Sequence, residues 1–458
     1  MGTTVEDETV PSVEIGPLES TDYILVGNSI VEGSITNNGN VGSGVEEEIV
    51  NGATGTIAAE SHGISVIDSV IEDGIRNEGA IYVDHVSEPG LFVGAFLADD
   101  ATGIRVVSNE GTDISTEIDN NGLIDVSAEG TSEFDPLVAL GIRVASSGNV
   151  EAQINNSGDI QVRVDAFPSG SEFFITESAV ARGAGISVGN VPASGGLIAV
   201  PVITVIESSE SFGPDSMISE VTNSSLSSID VVVTASGSDA DALAAGIEQQ
   251  SFSTKETSFD ANNSGSIDVT ADADANAVFL GGRADADAFG IRQNASGQGN
   301  QGDDARLQIT NSGEVSVTAE ASSSASGAFA DAMAVGLQQT AEFMEDAELQ
   351  AYNSGDIDVF AVSEANGVIV AAEAQAIGIE QDAFVFDDAQ LYAENTSGSS
   401  IDVAAVSIAN GSTQAGADAD AGGIVQNGFG RTVDIQAVNN GAINATAEAD
   451  ASGMSAYA

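Results

Sequence analysis

The chain repeats one phrase, and the two halves of the phrase always come in the same order. The first half is Asn-x-Gly-x followed by Ile or Val, as at 77–81, 263–267 and 353–357. The second half is Gly followed by Ile or Leu, often with Arg or Gln next, as at 290–292 and 378–381. Successive asparagines stand 43, 36, 40 and 42 residues apart where the phrase is clearest. A period of this length predicts a stacked array rather than separate globular domains.

Apolar and polar residues alternate between these signals. From Ile267 to Ala275 every second residue is apolar. This period of two predicts a β-strand with one buried face, although Ala is also the best helix former. Three such strands and three corners fit into each repeat. The pattern therefore predicts an all-β chain, a right-handed parallel β-helix with about 9–10 repeats of roughly 42 residues. Two shorter turns of about 21 residues in each repeat fit the pattern equally well.

The corner phrase has a physical interpretation. Asn and Gly tolerate positive φ, so Asn-x-Gly predicts a sharp corner. Stacking would place each Asn above the Asn of the next repeat, where amide side chains can form a hydrogen-bonded ladder.

Composition shifts and proline positions divide the array. We expect residues 1–34 to form an N-terminal cap, because they lack the phrase. Residues 35–190 form the first half of the β-helix, and residues 191–225 form a loop or side excursion that contains Pro192, Pro201 and Pro214. Residues 226–458 form the second half, rich in Ala alternating with Asp or Glu. Its last residues read as a strand that precedes a further Gly-Ile unit, so we expect an open C-terminal end that could accept another strand.

The charge balance excludes some partners. The chain carries 71 acidic and 10 basic residues, for a net charge of −61. Such a surface repels nucleic acid and anionic lipids, and it attracts cations. The longest apolar run, 197–206, is too short to span a bilayer and contains Pro201, so we expect no direct membrane insertion. The chain has no Cys, which excludes disulfides and thiolate chemistry.

The acidic alternation supplies the candidate metal ligands. Strands stacked about 4.8 Å apart would bring carboxylates together, and these repel one another unless they are solvated, protonated or bridged by a cation. Oxygen ligands suit Ca²⁺, although no EF-hand spacing occurs. A solvated acidic face is the alternative. The candidate ligands are Asp239, Asp241, Asp268, Asp272, Asp274, Asp285, Asp287, Asp358, Asp402, Asp418 and Asp420.

The few basic residues fit a supporting role. Arg105, Arg143 and Arg292 each follow a Gly-Ile pair, and we expect them to neutralise neighbouring carboxylates. His62 and His85 stand in no metal-binding or triad spacing, and we expect both on the surface or in a cap. We predict no catalytic residues and no cofactor other than Ca²⁺.

Runs such as 154–160 and 185–188 resemble the imperfect repeats of bacterial autotransporter passengers and related giant surface proteins. The resemblance covers about residues 35–458 and rests on a structural motif. It implies a parallel β-helix that is extracellular or attached to a bacterial cell surface. The Ala-Asp strands depart from that pattern.

We therefore expect a non-enzymatic structural or adhesive component of a surface fibre, sheath or matrix. It would assemble end to end with copies of itself, be stabilised by calcium and contact cell-surface glycans. One alternative is a β-helix glycan-binding module or polysaccharide-degrading enzyme, which would show aromatic and basic residues in a cleft. Another is an ice- or mineral-binding protein, which would need an uninterrupted Thr or Asp column. The column after the Ile is interrupted at Gln161, Ser316 and Asn444.

Overall fold

The computed structural model describes residues 2–6, 8–17, 19–42, 60–87, 99–108, 113–131, 136–167, 178–190, 215–252, 254–277, 281–297 and 302–458. These residues are folded almost entirely as β-strands. The chain is a parallel β-helix, which confirms the predicted fold class.

In chain order the strands are β1 (Thr3–Glu6), β2 (Thr9–Val10), β3 (Val13–Ile15), β4 (Ser20–Thr21), β5 (Ile24–Gly27), β6 (Ile30–Val31), β7 (Ile35–Asn37), β8 (Asn40–Val41), β9 (Glu60–Ile67), β10 (Val70–Ile71), β11 (Ile75–Asn77), β12 (Ala80–Ser87), β13 (Asp99–Ser108), β14 (Ile114–Asn120), β15 (Leu123–Thr131), β16 (Leu137–Ser146), β17 (Val150–Asn156), β18 (Asp159–Phe167), β19 (Ser178–Asn190), β20 (Ser216–Asn223), β21 (Ser228–Gly237), β22 (Asp239–Phe252), β23 (Glu256–Asn263), β24 (Ser266–Asn276), β25 (Gly282–Ser296), β26 (Asp304–Asn311), β27 (Glu314–Met344), β28 (Asp346–Asn353), β29 (Asp356–Val385), β30 (Asp388–Asn395), β31 (Ser400–Phe429), β32 (Thr432–Asn439), β33 (Ala442–Ser452) and β34 (Ser455–Tyr457).

Each full turn has three faces. The first face holds the strand that follows the Asn corner, such as β24, and the second face holds the Gly-Ile strand, such as β25. The third face is an 11-stranded sheet whose strands lead into the next Asn, such as β26. In the later turns the first two faces are traced by one long strand, as in β29. Inward positions are Ala, Val and Ile at nearly every level, which makes a narrow core.

The parallel register establishes one turn for each repeat. Ile267 pairs with Val315, which pairs with Ile357 in the following turn. Asparagines that pair across turns are 36 to 48 residues apart, except for one interval of 67. The alternative of two turns of about 21 residues in each repeat is therefore wrong for these turns.

The N-terminal strands belong to the same stack. Strand β1 pairs in parallel with β5, and β3 pairs with β7, so the described part of 1–34 is already wound as a shorter turn. The turn with the 67-residue interval contains the Pro-containing segment. Residues 191–214 of that expected loop lie outside the described residues, and its last part forms β20.

A continuous asparagine ladder runs along the axis and confirms the predicted stacking. Each amide nitrogen Nδ2 donates to the Oδ1 of the next turn over 2.7 to 2.9 Å. The ladder is dry as far as Asn395, because its members there are at most 2 % exposed. Its rungs are Asn37, Asn77, Asn120, Asn156, Asn223, Asn263, Asn311, Asn353, Asn395 and Asn439.

A second amide ladder was not predicted from the sequence. It occupies the inward position two residues after the Ile of the second face, where the earlier turns carry Val. After the first member, Gln249, each Nε2 donates to the Oε1 of the preceding turn over 2.6 to 2.9 Å and also to a backbone carbonyl of the third face. Its members are Gln249, Gln293, Gln339, Gln381 and Gln426.

The glycines of the repeat are required for close backbone approach rather than for positive φ. Among the described residues, none of the ladder asparagines and none of the glycines of the Asn-x-Gly phrase has positive φ, so the φ argument for that phrase is wrong; Gly398, at the corner after Asn395, has a φ of 96°. A Cβ at Gly355 would lie 1.9 Å from the carbonyl oxygen of Gly313 one turn earlier. A Cβ at Gly290 on the second face would lie 2.4 Å from a methyl group of Val315. Any side chain at these positions would push neighbouring turns apart.

We predict that Asn263→Ala lowers the stability of the array by about 1–3 kcal/mol, because it removes two buried hydrogen bonds, the one that Asn263 accepts from Asn223 and the one that it donates to Asn311. The matched control is Asn262→Ala. That neighbouring side chain is partly exposed and donates to Asp260 on its own strand over 3.0 Å. Thermal unfolding followed by circular dichroism measures both variants. Equal unfolding midpoints would contradict a stabilising role for the ladder.

Candidate functional site

The predicted metal ligands lie in two sets of outward columns and do not converge on one site. On the first face, Asp268 stacks between Asp230 and Ser316, and Asp358 stacks on Asp402. Asn444 follows in the next turn, and its Nδ2 donates to Asp402 Oδ1 over 2.5 Å. The column after the Ile therefore exists as predicted, with the interruptions that the sequence shows.

Further along the first face, Asp272 and Asp274 occupy their own columns. Asp272 stacks against Glu320, and Asp274 lies beside Ser322 and accepts a hydrogen bond from Asn276 over 3.0 Å. Burial raises the pKa of Asp272, and the charges of Glu320 and Asp274 raise it further.

The second face carries the longest run of carboxylates. Five consecutive turns place an acidic residue at the same outward position, and we call this set the acidic column. Its members are Asp241, Asp285, Asp331, Glu373 and Asp418. Asp331 and Glu373 were not among the predicted ligands, although Asp331 lies in the same Ala-Asp alternation. Reading all the turns in one register would have found both residues.

Carboxyl groups in and beside this column resist ionisation. Burial raises the pKa of Asp331 to about 6, and the charges of Asp285 and Glu373 add to the shift. Asp287 lies two residues from Asp285 on the same strand face, between Leu243 and Met333 of the neighbouring turns. Its pKa rises to about 7, first because of burial and then because of nearby carboxylates. The fold thus holds these carboxyls partly protonated near neutral pH.

Three of the predicted ligands lie at the margins of this face. Asp239 stands next to Arg283, whose backbone N–H donates to Asp239 Oδ1 over 3.0 Å. Arg283 also forms an ion pair with Asp285 at 2.7 Å. Asp418 and Asp420 lie in the last full turn of the second face, beside Glu373 and Gln375.

The bend at the Gly-Ile pair holds a second, smaller hydrophobic cluster on the outside of the solenoid. Phe289 is its largest member and is 1 % exposed. The guanidinium of Arg292 lies 4.4 Å from the centre of the Phe289 ring and 3.8 Å from the buried carboxylate of Glu248. Burial raises the pKa of Glu248, while Arg292 and Arg182 oppose the shift. The expectation that Arg292 neutralises a neighbouring carboxylate is confirmed.

Both histidines are buried, so their expected placement on the surface or in a cap is wrong. His62 is 1 % exposed and lies in the outer bend, where Arg105 Nη1 is 3.2 Å from its Nε2. His85 is 3 % exposed and its Nδ1 is 3.1 Å from Ser61 Oγ inside the solenoid. An isolated His carries no periodic signal that would reveal which face it occupies.

A three-carboxylate cluster at one corner was also missed. Asp346, Asp387 and Asp388 bring ligand oxygens within 4.8 Å of one another. The backbone N–H of Asp388 donates to Asp346 Oδ1 over 2.9 Å, and Arg431 pairs with Asp387 at 2.7 Å. Asp346 and Asp388 stand seven residues before ladder asparagines, a spacing that could have revealed the cluster.

Comparisons of the chain with known protein families, with curated proteins and with solved structures each found no match. Within the described ranges, no helix is long and apolar enough to cross a membrane.

The raised pKa values predict that the array loses stability as the pH rises. A carboxyl whose pKa is about 7 when folded, against 3.8 when unfolded, stabilises the fold fully below about pH 4. That contribution is lost as the pH passes through about 7. We expect a lower unfolding temperature at pH 8 than at pH 5 in sodium buffer without divalent ions.

Asp287→Asn should raise the unfolding temperature at pH 8 and flatten the pH profile, with an effect of order 1–3 kcal/mol. Asp434→Asn, at an exposed outward position of β32, is the matched control and should follow the wild type. If the two variants gave the same pH profile, the buried carboxyl would not be the cause.

Proposed function

We propose that the chain is a non-enzymatic structural or adhesive component of a bacterial extracellular surface fibre, sheath or matrix. The observation that carries this proposal is the regularity of the stack. Among the described residues, ten asparagine rungs are hydrogen-bonded in succession, and the full turns repeat the same three faces. At about 4.8 Å per turn the ladder spans roughly 43 Å, a rigid rod rather than a scaffold for one pocket. The resemblance to autotransporter passengers supports the surface location.

The charge distribution supports a role outside nucleic acid and membrane binding. The chain has a net charge of −61, and several of its basic residues are already paired with carboxylates, as at Arg163 and Asp165. Such a surface disfavours phosphate backbones and anionic lipids. Partners that fit are cations, uncharged glycans and further copies of the chain.

Calcium fits the carboxylate geometry of the corner cluster. Asp346, Asp387 and Asp388 would hold the ion, because Ca²⁺ prefers several carboxylate oxygens and these converge. The bound ion would cancel repulsion between stacked carboxylates. Asp241 and Asp285 of the acidic column, which are adjacent across two turns, offer a second place for a bridging cation.

End-to-end association would extend the rod. Val433 and Ile435 continue the inward columns of Ala389 and Leu391, yet they are 39 % and 45 % exposed. A turn stacked on this surface, whether from the same or another molecule, would bury both side chains. A head-to-tail contact of this kind does not close on itself and produces a filament.

We predict that calcium at about 10 mM raises the unfolding temperature relative to chelator in the same sodium concentration, by the equivalent of about 1–3 kcal/mol. Asp346→Asn should show a smaller increase in unfolding temperature with calcium, because it removes a charged ligand. It keeps a side-chain oxygen that can accept the hydrogen bond from the Asp388 backbone N–H. The control is Asp434→Asn. Equal unfolding temperatures in chelator and calcium would leave a solvated acidic face as the better account.

We also predict that the purified chain forms filaments or linear oligomers in calcium at high concentration. Electron microscopy and analytical ultracentrifugation measure this association. Val433→Asp should reduce it, because the substitution places a charge on the stacking surface, whereas Val86→Asp provides an exposed control elsewhere. A strictly monomeric mass in calcium for the wild type would contradict the assembly part of the proposal.

A further inference from the structure

The first face carries a hollow of about 400 Å³ on its outer side, across the turns of β27, β29, β31 and β33. It arises from one column in which Thr318, Phe360, Ala404 and Thr446 follow each other in successive turns. Ala404 contributes only a methyl group, so a gap opens above β31 between the ring of Phe360 and the side chain of Thr446. The Phe360 ring is 39 % exposed at this gap.

The neighbouring column supplies polar groups along one edge of the hollow. Ser316, Asp358, Asp402 and Asn444 follow each other across the same four turns. The amide of Asn444 donates to Asp402 and thereby orients that carboxylate. Burial, followed by the charge of Asp402, raises the pKa of Asp358. The edge therefore presents strong acceptors beside hydroxyl groups that can both donate and accept.

We propose that this hollow binds one pyranose ring of a neutral sugar or an amino sugar. The Phe360 ring offers an apolar surface for the C–H face of the sugar. The carboxylates of Asp358 and Asp402 accept hydrogen bonds from adjacent sugar hydroxyls or an ammonium group. The volume lies within the range of small-molecule sites, and an acidic sugar would be repelled by the two carboxylates. Such a subsite would give the rod an adhesive contact, and it does not depend on filament formation.

A cation bound by Asp358 and Asp402 is the competing explanation. It would account for the two carboxylates. It would not account for an exposed aromatic ring beside a gap left by Ala404, which a hydrated ion has no reason to select.

The test is saturation-transfer difference NMR on the full chain with methyl β-glucoside, N-acetylglucosamine, glucosamine and glucuronic acid, each at about 10 mM. We expect signal transfer to one or more of the first three sugars and none to glucuronic acid. Absence of transfer to all four, or transfer to glucuronic acid alone, would overturn the proposal.

Two variants locate the binding site. Phe360→Ala removes the apolar surface, and Ala404→Phe fills the gap; each should weaken binding at least about tenfold. The matched control is Phe329→Ala, an exposed ring on the second face that should leave binding unchanged. Unchanged circular dichroism and unchanged stabilisation by calcium would show that the variants remain folded.

Sugar binding that survives both Phe360→Ala and Ala404→Phe would place the contact elsewhere and refute the subsite. Calcium titration of the sugar-bound protein separates the two explanations. If a cation binds Asp358 and Asp402 but no sugar signal appears in chelator, the hollow is a cation site and the sugar proposal is overturned.

Discussion

In-register stacking of parallel strands is the constraint on which the whole structure depends. Because equivalent positions lie about 4.8 Å apart in successive turns, each side chain has as neighbours the residues at the same position of the turns before and after it. An amide satisfies this arrangement, since it carries a donor and an acceptor, and Asn311 both accepts from Asn263 and donates to Asn353. A carboxylate does not satisfy it, because two ionised neighbours repel. The buried amide ladders and the mutually repelling carboxylates of the outer columns therefore both follow from in-register stacking.

The outer surface relieves that strain in three visible ways. Neutral residues interrupt the first-face column, as Ser316 does between Asp268 and Asp358. Arginine pairs with carboxylates on the second face, as Arg283 does with Asp285. Third, burial and neighbouring charge raise the pKa of some carboxyls and so favour their uncharged form, most of all at Asp287. Neutral residues and arginine pairs are fixed by the sequence, whereas the degree of protonation depends on the pH of the solution.

The strand pattern, the three-strand repeat and the asparagine ladder could be predicted because each has a period that the sequence displays directly. The corner glycines were assigned to the right places for the wrong reason, since the clash at Gly355 involves a carbonyl from another turn that local sequence cannot reveal. Glu373 and Phe360 escaped notice because their meaning depends on which residue stacks beside them. His62 and His85 are single residues without a period, and their burial depends on tertiary packing.

The two amide ladders run in opposite senses. Within the asparagine ladder the side chains donate toward the higher-numbered turn, whereas within the glutamine ladder they donate toward the lower-numbered one. Their side-chain dipoles oppose each other wherever both ladders exist, from about the turn of Gln249 onward. In the earlier turns Val188 and its counterparts occupy the glutamine position, so the asparagine dipoles there add without compensation. The side-chain amide dipoles thus add in the earlier turns and oppose each other in the later ones, an axial asymmetry that exists even though the faces repeat.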